Sequence, residues 1–128
     1  MDNVVVYYES WQMQCCGEPF GVGDTVSWRV AIGSDHRSKT SWKYDFIEDH
    51  HYLYDDSKYR ITGRVERIAM EFSYKEEKRD IVEYDKIPKQ WVEVKGTVDG
   101  WDFPKNAFGL GYYIKLSNVK LELAKDDE

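Results

Sequence analysis

The stretch Tyr59–Tyr74, Y-R-I-T-G-R-V-E-R-I-A-M-E-F-S-Y, decides the fold. Tyr59, Ile61, Gly63 and Val65 keep to every second position and so share one face of an extended chain. The phase then jumps, and Ile68, Met70, Phe72 and Tyr74 continue the apolar side. A slip of one residue within a long strand is the mark of a β-bulge, and bulges bend strands round the corners of a barrel. The last apolar segment behaves in the same way: Tyr112, Ile114 and Leu116, a slip at Ser117-Asn118, then Val119, Leu121 and Leu123. Two long slipped strands in one short chain favour a curled barrel over a flat sheet.

Three further segments alternate. Val26, Trp28, Val30 and Ile32 share a face within Thr25–Ile32, Val92 to Val98 alternates through Gly96, and Val4–Met13 opens the set. The expectation is a mainly β chain, a small curled Greek-key barrel of about five strands, OB-like or SH3-like. Gly63 and Gly96 sit within strands, where glycine permits a bend or a close backbone approach. Phe20-Gly-Val-Gly-Asp24 reads as a turn delivering the second strand; it lacks the Lys-Ser/Thr and the following helix of a phosphate cradle. In Ser41–Tyr54 the spacing of Trp42, Phe46, Ile47, His50 and Tyr54 predicts one or two turns of helix capping the barrel.

Composition sets limits on function. At 128 residues the chain has the length of one domain, read here as residues 1–124 with an acidic tail over 125–128. Aromatic residues make up 16%, which suits pleated, half-buried surfaces. Acids outnumber bases by 24 to 18, a net charge of −6, and no segment gathers enough Lys and Arg for a nucleic-acid footprint. No apolar run approaches the ~20 residues that cross a bilayer, and the opening M-D-N-V-V-V-Y-Y-E lacks the basic start of a secretory signal. The expected location is the cytoplasm.

The only two cysteines, Cys15 and Cys16, lie in Trp11–Phe20, W-Q-M-Q-C-C-G-E-P-F. That opening, followed by G-x-G-D-x-V-x-W over Gly21–Trp28 and by Asp49-His50-His51, resembles an uncharacterised bacterial family of small proteins known as a domain of unknown function. The resemblance is most specific over the first quarter of the chain. It implies a bacterial, cytoplasmic protein and carries no activity, substrate or cofactor. Asp-His-His is also the signature of a phosphoesterase superfamily, but the other aspartate motifs and the longer α/β chain of those enzymes are missing here.

If Cys15 and Cys16 end a strand, their side chains point to opposite faces, one packed as a small hydrophobe and one beside the Gly17 turn. A disulfide between neighbours closes a strained ring, and a reducing cytoplasm disfavours it. Together with His50 and His51 they supply two thiolates and two imidazoles, a set that suits zinc, the one candidate cofactor. The spacing counts against it, since paired zinc ligands are usually two to four residues apart. A thiol nucleophile with His36, His50 or His51 as base and Asp49 or Asp55 as orienter is a further arrangement. For Glu48-Asp49 and Asp55-Asp56, exposed acidic loops are the commoner explanation.

Five tryptophans are too many for a small core to bury completely. Trp28 faces inward on its strand, whereas Trp91, Trp101 and Phe103 lie in or near turns and are the candidate binding residues, with the sealing of the barrel ends as the alternative. The leading expectation is a binding module with no catalytic residues. Its partner is a protein or a small ligand, and an acidic, immunity-like protein masking a basic partner is one version. The alternatives are a zinc- or thiol-dependent protein centred on Cys15, Cys16, His50 and His51, and an OB-like binder of single-stranded nucleic acid.

Overall fold

The slipped stretch forms one 15-residue strand, Tyr59–Ser73, in the computed structural model, which describes residues 3–33, 42–51, 57–74 and 88–124. In chain order the elements are β1 (Val4–Glu9), α1 (Ser10–Cys16), β2 (Phe20–Gly21), β3 (Thr25–Ile32), β4 (Phe46–Glu48), β5 (Tyr59–Ser73), β6 (Gln90–Val94), β7 (Thr97–Val98) and β8 (Phe108–Leu123). The chain is mainly β, with one short helix among the described residues.

β5 organises the large sheet. Its first half, Tyr59 to Arg64, pairs antiparallel with β3, and its second half, Ile68 to Phe72, pairs with β6. Along its length it pairs with β8. β8 continues to β1, β1 runs parallel to β4, and β4 returns to β3, so the order of pairings β3-β4-β1-β8-β5 comes back to β3. β2 and β7 form a separate two-stranded ribbon.

The register of β5 against β8 shifts between Thr62 and Arg64, between Val65 and Arg67, and between Glu71 and Phe72. Glu66 is the extra residue at the second shift, which is why Val65 and Ile68 both point inward. Asn118 is the extra residue at the first, held at φ 51°, and it returns Val119 to the face of Leu116. Gly63 stands opposite, where a side chain would meet the Ser117 carbonyl oxygen at 3.1 Å and the Leu116 Cβ at 3.2 Å.

The inner faces meet in a core of Val6, Val30, Ile61, Val65, Ile68, Ile114 and Leu116, each fully buried. Each such side chain contributes roughly 1.5–3 kcal/mol by leaving water. A second cluster covers the opposite face of β1: Ala31, Tyr44, Ile47 and Tyr113, with Tyr7, Val5, Ala69 and Trp91 against it. β1 is thus packed on both sides. The buried Glu71 carboxylate lies beside this second cluster and accepts from the Tyr7 and Tyr113 hydroxyls at 3.1 and 3.0 Å and from Trp91 Nε1 at 2.9 Å. Burial first, then the Glu71 charge, holds the Tyr7 phenol well above its ordinary pKa, so it stays a donor.

Several expectations are corrected. Val4–Met13 is not one strand: the chain turns helical at Ser10, whose hydroxyl donates to the Gly109 carbonyl at 2.8 Å. The helix expected within Ser41–Tyr54 is absent from its described residues. Phe46–Glu48 is a strand because it is wedged between β1 and β3, and pairing on both edges overrides a helical spacing of apolar residues. Residues 41 and 52–54 of that expectation lie outside the described residues, as does the tail at 125–128. The alternating segment Val92–Val98 is broken at Lys95-Gly96, with β6 in the large sheet and β7 in the ribbon. The turn at Phe20–Asp24 holds as read: Gly23 takes φ 94°, and Gly21 N donates to Asp24 Oδ2 at 2.8 Å.

Candidate metal centre

Helix α1 and the segment after β4 meet at one end of the sheet. In a strand, neighbouring side chains diverge by 180°, but in a helix only by about 100°. Cys15 and Cys16 end α1, so both face outward on the same side; both are exposed, free thiols, and neither is the packed strand-end residue expected. Gly17 closes the helix, its N–H donating to the Met13 carbonyl at 3.1 Å. A side chain at Gly17 would meet the Tyr8 hydroxyl at 2.7 Å and Met13 Cα at 2.9 Å. β4 is short, so the chain leaves it at once and delivers His50 and His51 beside the helix.

The sulfurs of Cys15 and Cys16 lie 2.6 Å apart, and Cys16 Sγ lies 3.6 Å from His51 Nε2. One ligand atom from each of the three residues falls within 4.8 Å of the others. The imidazole is held from behind. Gln12, fully buried one helical turn before Cys16, places its side-chain nitrogen between the Glu9 carboxylate at 3.1 Å and the Glu48 carbonyl at 3.3 Å. Both neighbours are acceptors, so that end of the amide is the NH2 and the other end is the oxygen. The oxygen lies 3.0 Å from His51 Nδ1, which must therefore donate. In the neutral ring the lone pair is then on Nε2, facing the thiols. Trp11 stacks on the ring at 5.1 Å and 27°.

His50 faces elsewhere. Its Nδ1 is 2.8 Å from both oxygens of Glu48, and its Nε2 is buried with no hydrogen-bond partner among the described residues. Desolvation pushes the Glu48 carboxyl up to about 8, and desolvation lowers His50. Glu48 and Asp49 are buried, not an exposed acidic loop. A cavity of about 660 Å³ opens beside the site, with Tyr8, Cys16, Phe20, Trp28, Glu48 and His50 in its wall.

A family model describing a family of unknown function, DUF6578, matches residues 2–118. The chain belongs to DUF6578. The match takes in the W-Q-M-Q-C-C-G-E-P-F opening and Asp49-His50-His51, the elements on which the resemblance to a domain of unknown function rests. No curated protein and no solved structure matches the chain.

Of the four metal-ligand candidates, the fold of this DUF6578 member brings Cys15, Cys16 and His51 together, while His50 is engaged by Glu48. His36, Asp55 and Asp56 lie outside the described residues. Trp101 stands 72% exposed in its turn. Phe103 stacks on Tyr112 at 5.2 Å, and Trp91 stacks on Trp42 at 5.0 Å and 12°, so both are half-buried within aromatic pairs. Gln12 was not singled out from the sequence, and Glu48 only as half of an acidic pair read as an exposed loop. The Gln12–Cys16 spacing of four is a signal only once the segment is read as helical.

Proposed function

We propose that this protein binds a thiophilic d10 metal ion, zinc in the first instance, through Cys15, Cys16 and His51. The observation that carries this is the orientation of His51: the Gln12 oxygen takes up its Nδ1–H, and Nε2 presents a lone pair 3.6 Å from Cys16 Sγ. A Zn–S bond of about 2.3 Å and a Zn–N bond of about 2.0 Å set an S···N edge near 3.6 Å in a tetrahedron, which needs no movement of His51. The sulfurs must part to about 3.8 Å to share the ion, which exposed side chains do by rotation. Two thiolates and a neutral imidazole balance the charge of a divalent ion, and the Glu9 carboxylate, which holds the Gln12 amide, adds an attractive field. Three protein ligands leave one tetrahedral position for an exogenous ligand.

This is a binding function in which the ion is the ligand, and a reducing compartment such as the cytoplasm would keep both thiols available. The circuit of strand pairings supports a closed Greek-key barrel beneath the site. A thiol nucleophile with His51 as base is favoured by the same 3.6 Å contact but opposed by the state of the thiol: its hydrogen bond with Cys15 raises Cys16 above the ordinary cysteine pKa.

The test is elemental analysis with native mass spectrometry on untagged protein purified under reducing conditions, followed by cobalt substitution. The expected result is one ion per chain and thiolate-to-cobalt charge-transfer absorption, both lost in Cys15→Ser/Cys16→Ser. A folded chain that takes up neither ion would overturn the reading. Rapid alkylation of Cys16 at neutral pH, unchanged by zinc, would favour the nucleophile instead.

A further inference from the structure

The described residues carry a second groove that shares no residue with the metal centre. Its volume is about 390 Å³, within the range of small-molecule sites, roughly 300–1,000 Å³. Trp42 and Trp91 stack on one another at 5.0 Å and 12°, and Tyr113 lies 5.3 Å from Trp42. These rings are held in place. Trp91 Nε1 donates to the buried Glu71, the Tyr113 hydroxyl donates to the same carboxylate, and Trp42 N donates to the Tyr113 oxygen at 3.1 Å. Even so, Trp42 remains 46% exposed, a large apolar surface fixed in water.

The rim has the opposite character from the chain as a whole. Lys43, Arg67 and Lys115 line the groove, with Glu93 the one acid, and Glu93 is bridged to Arg67 at 3.0 Å. Lys43 and Lys115 have no carboxylate partner among the described residues. In a chain of net charge −6, a groove with three cations and one paired acid is a local reversal of sign. A rigid aromatic wall beside two ammonium groups that are unpaired among the described residues matches a ligand with a flat face and a negative group at its edge.

We infer that this groove binds a small planar anion, an aromatic ring carrying a phosphate or carboxylate, stacked on Trp42 with its charge between Lys43 and Lys115. Adenosine monophosphate and 1-naphthyl phosphate are probes of this class. Trp42 and Trp91 make the binding self-reporting, since a ring stacked on an indole alters its emission. Stacking on a single aromatic is worth roughly a 5- to 150-fold change in affinity, so Trp42→Ala is expected to weaken binding within that range. Lys43→Gln/Lys115→Gln removes the charge and leaves the aromatic wall, and it is expected to remove the salt dependence along with most of the affinity.

The experiment is a fluorescence titration of the full chain with both probes, with adenosine, inorganic phosphate and a single-stranded oligonucleotide as comparisons, at low and high salt. Saturable quenching by the two aromatic anions, weak binding of adenosine and none of phosphate is the expected pattern. Absence of saturable binding by either probe overturns the inference, and so does binding that survives in the folded lysine double variant. An oligonucleotide that binds far more tightly than the mononucleotide also overturns it and assigns the groove to nucleic acid. Wild-type-like binding by Cys15→Ser/Cys16→Ser is expected, because the groove is independent of the metal centre.

Discussion

Gln12 Oε1 lies 3.0 Å from His51 Nδ1, and the other end of the same amide is fixed by Glu9 and the Glu48 carbonyl. This contact sets the tautomer of the proposed ligand without touching the ion. Gln12→Met, similar in volume and apolar, leaves His51 free to rotate and to carry its proton on either nitrogen. Zinc affinity is expected to fall ~10–100-fold, the usual cost of losing an outer partner of a ligating histidine. The buried Glu48 carbonyl also loses its donor, which costs about 1–3 kcal/mol of stability. A competition titration against a chromophoric chelator and a urea denaturation series measure the two effects separately.

Cys15 and Cys16 are exposed at the end of a helix whose buried side chains are Ser10, Gln12 and Met13. Replacing either cysteine by serine removes no core contact, so metal-free stability is expected to stay within about 0.5 kcal/mol of wild type. The effect of metal is where the variants should differ. Zinc at 100 times its dissociation constant stabilises a binding chain by about 2.7 kcal/mol. Thermal melts with and without zinc should show that rise in the wild type and its loss in both single variants. Equal rises in all three would place the ion elsewhere.

The strands were legible because burial writes itself into alternation, and the bulges because they shift its phase. Val65 to Ile68 and Leu116 to Val119 mark the positions of Glu66 and Asn118 without any structure. The helix was not legible, because Tyr8, Gln12 and Met13 are buried across a change from period 2 to period 3.6, and the seven residues of α1 are too few to reveal the switch. That hid the most informative property of the cysteine pair, that it projects to one side. The strand at Phe46–Glu48 was hidden for a different reason: three residues carry no periodicity, and only pairing with β1 and β3 defines them. Long-range contacts also decide that Gln12, and not a carboxylate, orients His51.

Glu48 gives the protein a distinctive pH dependence. Desolvation raises its folded pKa to about 8, whereas in the unfolded chain a glutamate titrates near 4.3. Between those values the folded state holds a proton that the unfolded state has released, so this contribution to stability falls as pH rises and levels off above about 8. The scale is on the order of a few kcal/mol for a group this deeply buried. His50 has the opposite sign: its lowered pKa makes the folded state lose stability as pH falls below the unfolded value of about 6.5. Glu48→Gln removes the first contribution alone. Urea denaturation from pH 5 to 9 should show a declining wild-type curve on the alkaline side, a flat Glu48→Gln curve there, and a variant more stable than wild type at pH 9. Parallel curves for the two proteins would refute the assignment to Glu48.

Asn118 holds the bend of β8 at φ 51°, in the left-handed region where a side chain is tolerated by asparagine and glycine and resisted by most others. The next residue, Val119, is buried, and Leu116 behind it is fully buried, so the bulge cannot relax without turning one of them outward. Asn118→Val introduces a β-branched residue at that conformation and is expected to destabilise the fold by about 1–2 kcal/mol. Asn118→Gly accepts the same backbone and isolates what the asparagine side chain adds through its own contacts. Chemical denaturation of the two variants should place Asn118→Val clearly below Asn118→Gly. If valine were as stable as glycine, the strand would have to be running straight through Ser117 and Lys120, and the register shift of β8 between Thr62 and Arg64 would need to be redrawn.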